Sequence, residues 1–162
     1  MIRILFILLV LLCSHVHAHI ILGERTEWVQ QDLPKIEQYF QKPLDKMLLI
    51  HVVLTKQAYK KELLKYKIKE ADTLIRTSYA VTSIGNVILI NSEELSRKHF
   101  LFVLAHEMAH QYQFERYGCA ILNKRDWMEK DADKHARNIV RGKGSVHATT
   151  EKRSQLAMAE NT

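Results

Sequence analysis

Five consecutive residues, His106-Glu107-Met108-Ala109-His110, form an H-E-x-x-H pattern. On a helix, side chains four residues apart share one face. Two imidazoles placed that way can bind a single zinc ion, and the intervening glutamate reaches toward a water in the metal's open position. His106 and His110 are therefore expected as ligands and Glu107 as a general base. A catalytic zinc takes a third protein ligand. Eighteen residues separate His110 from Glu129, which heads Glu129-Lys130-Asp131-Ala132-Asp133. That gap allows a turn and an antiparallel return. Asp133 lies one helical turn beyond Glu129 and shares its face. It is expected to accept a hydrogen bond from the far ring nitrogen of a zinc-bound histidine, which fixes tautomer and orientation. The rival third ligand is His135. Six residues of helix turn through about 600°, so Glu129 and His135 sit about 120° apart around the axis and should not face one metal together. The expectation is one zinc per chain, held by His106, His110 and Glu129.

Such a site needs a rigid platform. Phe100-Leu101-Phe102-Val103-Leu104-Ala105, just upstream, is strongly apolar and predicts a central, buried helix. That helix is expected to run from Ser92 as N-cap, with Glu93 and Glu94 in its first turn, to Tyr117, with Gly118 as its stop. A second helix should open at Asp126 and run to about Arg141, before Gly142. Earlier in the chain, Val29, Leu33, Ile36 and Phe40 mark one face of a helix. Pro34 either kinks that helix or stands in its first turn behind Asp32 as cap. Met47 to Leu54 reads as a buried strand, with His51 a core or partly buried histidine. Thr77 to Ile84 and Val87 to Asn91 read as two strands about a Gly85-Asn86 turn. The order helix, strand, helix, strand, strand, helix, helix specifies one α+β domain.

Composition narrows the function classes. In 162 residues, 47% are hydrophobic and 26% charged, which excludes global disorder. Only 5 Gly and 2 Pro argue against a turn-dense all-β chain, and 2 Cys cannot support a disulfide framework. The formal charge is +6, and Lys56 to Lys69 concentrates lysines around Tyr59, Leu63, Leu64 and Tyr66. This stretch reads as an amphipathic helix with a solvated basic face. No nucleic-acid motif accompanies it, so nucleic acid is not the expected partner.

The first residues are read apart from the fold. Met1-Ile2-Arg3 precedes the unbroken apolar run Ile4 to Leu12, and Val16-His17-Ala18 has the form of a cleavage site. Residues 1–18 are expected to be a signal peptide cut after Ala18, with a retained N-terminal anchor as the alternative. The apolar run is too short to span a bilayer core of ~30 Å as a helix. Cleavage would make the protein secreted or periplasmic and leave no transmembrane span. Residues 19–142 would then form the domain and residues 143–162 a flexible tail. Cys119 would be the remaining cysteine, and His19 the start of a disordered terminus.

His106 to His110 with the lead Leu104-Ala105, taken together with Glu129 to Asp133, resembles the gluzincin zinc metallopeptidases of the thermolysin-like clan. The short chain resembles their small "minigluzincin" form most. The resemblance covers roughly residues 78–141. It implies a small zincin-like domain: a mixed sheet with an edge strand over the zinc-binding helix, and a following helix carrying the third ligand. It also implies that Val87, Ile88, Leu89, Ile90 and Asn91 form that edge strand and pair with extended substrate. The implied activity is hydrolysis of peptide bonds in peptide or protein substrates, through a metal-activated water with Glu107 as general base. Tyr112, Tyr117 and His135 are the candidate oxyanion donors. The alternative is a zinc-binding protein of the same fold that scaffolds or inhibits without turnover.

Overall fold

The computed structural model describes residues 19–68, 74, 78–83 and 86–143. The expected signal peptide, Gly85 of the expected turn and the expected tail from residue 144 onward lie outside them. The described elements are β1 (Ile20–Gly23), α1 (Thr26–Phe40), β2 (Leu49–Val53), α2 (Lys56–Lys65), β3 (Ala80–Thr82), β4 (Val87–Asn91), α3 (Arg97–Tyr117), a 3-10 segment (Gly118–Lys124) and α4 (Arg125–Val140). They form an α+β fold on a four-stranded mixed sheet.

The strand order is β1-β2-β4-β3. β1 and β4 run parallel to β2, and β3 runs antiparallel to β4. Alternation along the strands sorts the two faces. Ile50, Val52, Ile88 and Ile90 face α1 and α3, where they meet Val29, Ile36, Phe100, Leu104 and Met108. Val53 and Leu89 face the other way, onto Tyr59 and Leu63 of α2. The basic residues of α2 stay on its outer side, and the helix ends at Lys65 rather than Lys69. Among the described residues no helix is long and apolar enough to cross a membrane.

Four expectations are corrected. First, β4 is not an edge strand: β2 and β3 flank it, and Ile88, Leu89 and Ile90 are fully buried. Its near-continuous apolar run is the signature of a strand covered on both faces. The edge beside α3 belongs to β3. Second, the long helix starts at Arg97, capped by Ser96, which accepts from the His99 N–H at 3.3 Å. Ser92 instead finishes the sheet, with its N–H and hydroxyl both donating to the Val53 carbonyl. Third, Asp32 caps nothing. The first helix begins at Thr26 and carries Pro34 on its exposed side. Asp32 is buried there and accepts from both terminal nitrogens of Arg97 (Nη2–Oδ1 2.7 Å). Fourth, His19 does not open a disordered terminus. Its Nδ1 accepts from the Leu48 N–H at 3.1 Å and its Nε2 donates to Glu37 at 2.9 Å. Ile20 to Gly23 then pairs with β2 as a strand that the sequence reading had missed.

The Asp32–Arg97 pair ties α1 to the first residue of the helix that carries H-E-x-x-H. Removing one partner of a buried ion pair leaves the other charge without compensation. Lys35 also reaches Asp32, at 3.3 Å, and softens that loss. Arg97→Met is expected to lower unfolding stability by about 2–3 kcal/mol in urea titrations, while Arg97→Lys recovers part of it. A change below about 0.5 kcal/mol would show that the pair does not hold the start of α3.

Candidate metal centre

α3 is 21 residues long and buries Leu104, Ala105, Met108 and Ala109 on its way through the core. Gly118, at φ +62°, ends it in a backbone conformation that suits glycine. The 3-10 segment then turns the chain, and α4 packs back along α3. The direction is antiparallel: the earlier His106 meets the later Asp133, and the later His110 meets the earlier Glu129. This return brings two sequence-distant motifs onto one point.

Three atoms converge there. His106 Nε2 and His110 Nε2 are 3.1 Å apart, Glu129 Oε2 is 3.2 Å from the first, and it is 3.6 Å from the second. Among the described residues this is the one group of His, Cys, Asp and Glu able to hold a metal ion. Tetrahedral zinc bonds its ligands at about 2.0–2.1 Å, which places any two ligand atoms about 3.3 Å apart. The observed triangle matches that spacing, so the residues fit the ion.

The far side of each ring explains why the Nε2 atoms face inward. His106 Nδ1–H donates to Asp133 Oδ1 at 3.1 Å, and a carboxylate only accepts. His110 Nδ1–H donates to Gln113 Oε1 at 2.8 Å. The Gln113 amide is oriented by its other end, which donates to the Met128 carbonyl at 3.1 Å and to Asp131 at 3.0 Å. With both Nδ1 atoms protonated, both Nε2 atoms present lone pairs to the centre. Asp133 has the expected place and is itself held by Arg137 at 2.6 Å. Gln113, 4% exposed, was missed. Its position three residues after His110, on the same face of the helix, was the available signal.

Electrostatics at the site favour a cation. Close contact with the ring of His106, and next with that of His110, holds the Glu129 carboxyl far below the ordinary carboxylate range. Burial alone would lower the proton affinity of His110, but Glu129, Glu107 and Gln113 outweigh it and raise the pKa. The same negative field attracts a metal cation. Glu107 is buried and not a vertex of the triangle. Burial pushes its carboxyl above the ordinary range, against the pull of His110, His106 and the Thr82 backbone N–H.

Glu107 and the triangle open into one cavity of about 580 Å³, walled on one side by Ala80, Val81 and Thr82 of β3 and on the other by Leu122, Arg125 and Met128. Gln111 pins β3 to α3 by donating to Thr82 Oγ1 and, at 2.9 Å, to the Ser83 carbonyl. The three expected oxyanion donors are elsewhere. Tyr112, Tyr117 and His135 line a separate cavity of about 310 Å³ on the other side of α3. Tyr112 donates to the Lys42 carbonyl, and His135 lies between Tyr39 and Asp131. His135 is thus not part of the ligand triangle, in keeping with its position about 120° around the helix from Glu129.

No family model, curated protein or solved structure matches the chain.

Three substitutions separate the roles assigned here. Glu129→Ala is expected to abolish tight zinc binding in chelator competition, whereas His135→Ala keeps it; the opposite pattern would reverse the assignment. Gln113→Leu removes the acceptor behind His110 and is expected to weaken zinc binding about 10- to 100-fold with a smaller effect on folding. Unchanged affinity would mean that Gln113 only packs α3 against α4.

Proposed function

We propose that this chain is a zinc-dependent peptidase of the gluzincin-like, zincin-fold kind, acting outside the cytoplasm as a secreted or periplasmic protein. The observation that carries the reading is the pairing of a ligand triangle of zinc-like dimensions with a second, buried carboxylate in the same cavity. A purely structural zinc site is closed by a fourth protein ligand, whereas a catalytic one keeps three and an open position. His106, His110 and Glu129 would hold the ion. Bound zinc would supply Lewis acidity, which lowers the pKa of water toward about 7 and polarises a carbonyl.

The chain's own groups divide the remaining work. Glu107 takes a proton from the attacking water on a carboxylate oxygen and passes it to the departing amine. Its burial suits that task, because a raised proton affinity lets the carboxyl hold the proton between the two transfers. Asp133 and Gln113 keep the two rings in the tautomer that leaves Nε2 free. β3 offers the edge for an extended substrate. Asn91 N–H to Tyr79 carbonyl (2.7 Å) and Ser83 N–H to Val87 carbonyl (2.8 Å) fix its register on β4. Alternation in an antiparallel pair therefore turns the amides of Ala80 and Thr82 away from β4, that of Thr82 onto Glu107 and that of Ala80 to the edge. The Ser78 hydroxyl bonds both main-chain groups of Ala80, and an entering peptide would replace it.

The alternative, a zinc-binding scaffold without turnover, leaves Glu107 unexplained. A buried carboxylate beside the ligand triangle costs desolvation energy and has no purpose in a site that only binds. Glu107→Gln preserves size and hydrogen bonding but cannot take the proton. Zinc content is expected to stay near one per chain while hydrolysis of a quenched peptide library falls by at least ~10²-fold. Full activity in Glu107→Gln would remove the general-base role. Zinc binding with no hydrolysis by the unaltered protein would favour the scaffold.

A further inference from the structure

Besides the ligand residues and Glu107, the cavity wall carries one more charged side chain, Arg125. It is the first residue of α4 and is exposed. Its guanidinium makes no ion pair or hydrogen bond among the described residues. Four other arginines are engaged: Arg25 on the Leu95 carbonyl, Arg97 on Asp32, Arg137 on Asp133, and Arg116 over the Tyr117 ring. The natural partner for Arg125 is the acid one turn along the helix, Glu129. That carboxylate is turned instead to His106 and His110. Arg125 therefore stands on the wall of the cleft as a cation whose helix-face partner has been withdrawn.

Charge accounting gives it a consequence. A divalent ion would balance the ionised Glu107 and Glu129, and Arg125 then leaves the cleft with a surplus positive charge. A guanidinium presents a planar fork that matches a carboxylate in two hydrogen bonds. Arg125 precedes Glu129 by four residues, about 6 Å along the helix axis. An extended peptide advances about 3.3 Å per residue, so that distance corresponds to about two residues of substrate.

Resting on the peptidase reading above, we propose that Arg125 selects substrates carrying a carboxylate about two residues from the scissile bond. The carboxylate is either an acidic side chain or the free C-terminus of the substrate.

The test uses the full chain with Glu107→Gln, loaded with one equivalent of zinc so that peptides stay intact. Three hexapeptides are titrated by calorimetry: one neutral and capped at both ends, one capped with a single glutamate, and one neutral with a free C-terminal carboxylate. At least one carboxylate peptide is expected to bind about tenfold or more tighter than the neutral one, the gain of one charge-assisted bidentate contact. Which peptide it is identifies the source. In Arg125→Ala that ratio should fall to near one, and in Arg125→Glu it should fall below one, with the neutral peptide now preferred. Arg125 is exposed, so melting temperature and zinc content serve as folding controls. A ratio near one in the starting protein, or a ratio that survives Arg125→Ala, overturns the proposal. Hydrolysis of the neutral peptide by the protein with Glu107 intact is scored separately. Cleavage without an Arg125-dependent preference rejects the carboxylate site and keeps the peptidase. A preserved preference with no cleavage rejects the peptidase and keeps the site.

Discussion

Two imidazole lone pairs and a carboxylate oxygen held 3.1–3.6 Å apart repel one another, and much of the structure around them serves to hold them there. The rings cannot turn away, because Asp133 and Gln113 take the Nδ1 protons on their far sides. Gln113 cannot turn away either, since its amide is committed to the Met128 carbonyl and to Asp131. The antiparallel packing of α4 on α3 supplies all of these partners except Gln113, which rides on α3 itself. Such preorganisation leaves the site complementary to a divalent cation before one arrives.

The sheet contributes differently to the two sides of α3. On the core side it gives a fixed, apolar floor of Ile88 and Ile90 against which Leu104 and Met108 pack. On the open side, β3 continues past that floor as a short edge that Gln111 fastens to the helix. Glu107 lies where these meet, deep enough to be desolvated and close enough to the edge to face a bound strand. The Asp32–Arg97 pair and the rings of Trp28 and Phe100, 5.3 Å apart and edge to face, hold the start of the helix in the same frame. Burial of so many polar groups is tolerated because nearly all of them have partners. Among the described residues, the Tyr59 hydroxyl is the buried side-chain atom without one.

Much of this was legible in the residues alone. The H-E-x-x-H spacing needs only helical periodicity to bring His106 and His110 together, and the apolar run before it was enough to place the helix in the core. Glu129, Asp133 and the exclusion of His135 followed from the same 100° per residue once a second helix was granted. The α+β class, the end of the long helix at Gly118 and the half-buried character of His51 were likewise local properties of the chain. His51 stands between Tyr66 and Glu62, and burial lowers its proton affinity.

The errors share one cause, which is that pairing partners are not local. Val87 to Asn91 was recognised as a strand, but nothing within those five residues says that β2 lies on one side and β3 on the other. Ser92 and Ser96 offer the same capping chemistry, and the sheet chose between them by extending its ladder through Ser92 to Val53. Asp32 has the side chain of a helix cap and became the buried half of a part-buried ion pair, because Arg97 arrives from 65 residues away. Ile20 to Gly23 follows His19 in a stretch expected to be a disordered terminus, and it becomes a strand because β2 offers it hydrogen bonds. Gln113 carries no motif, and its role exists only because α4 returns to meet it. The sequence by itself determined which atoms can bind a metal, since ligand chemistry and helical spacing are properties of a short segment. Tertiary structure decided what holds those atoms in place and which strand borders them, since both depend on contacts between segments that the chain separates.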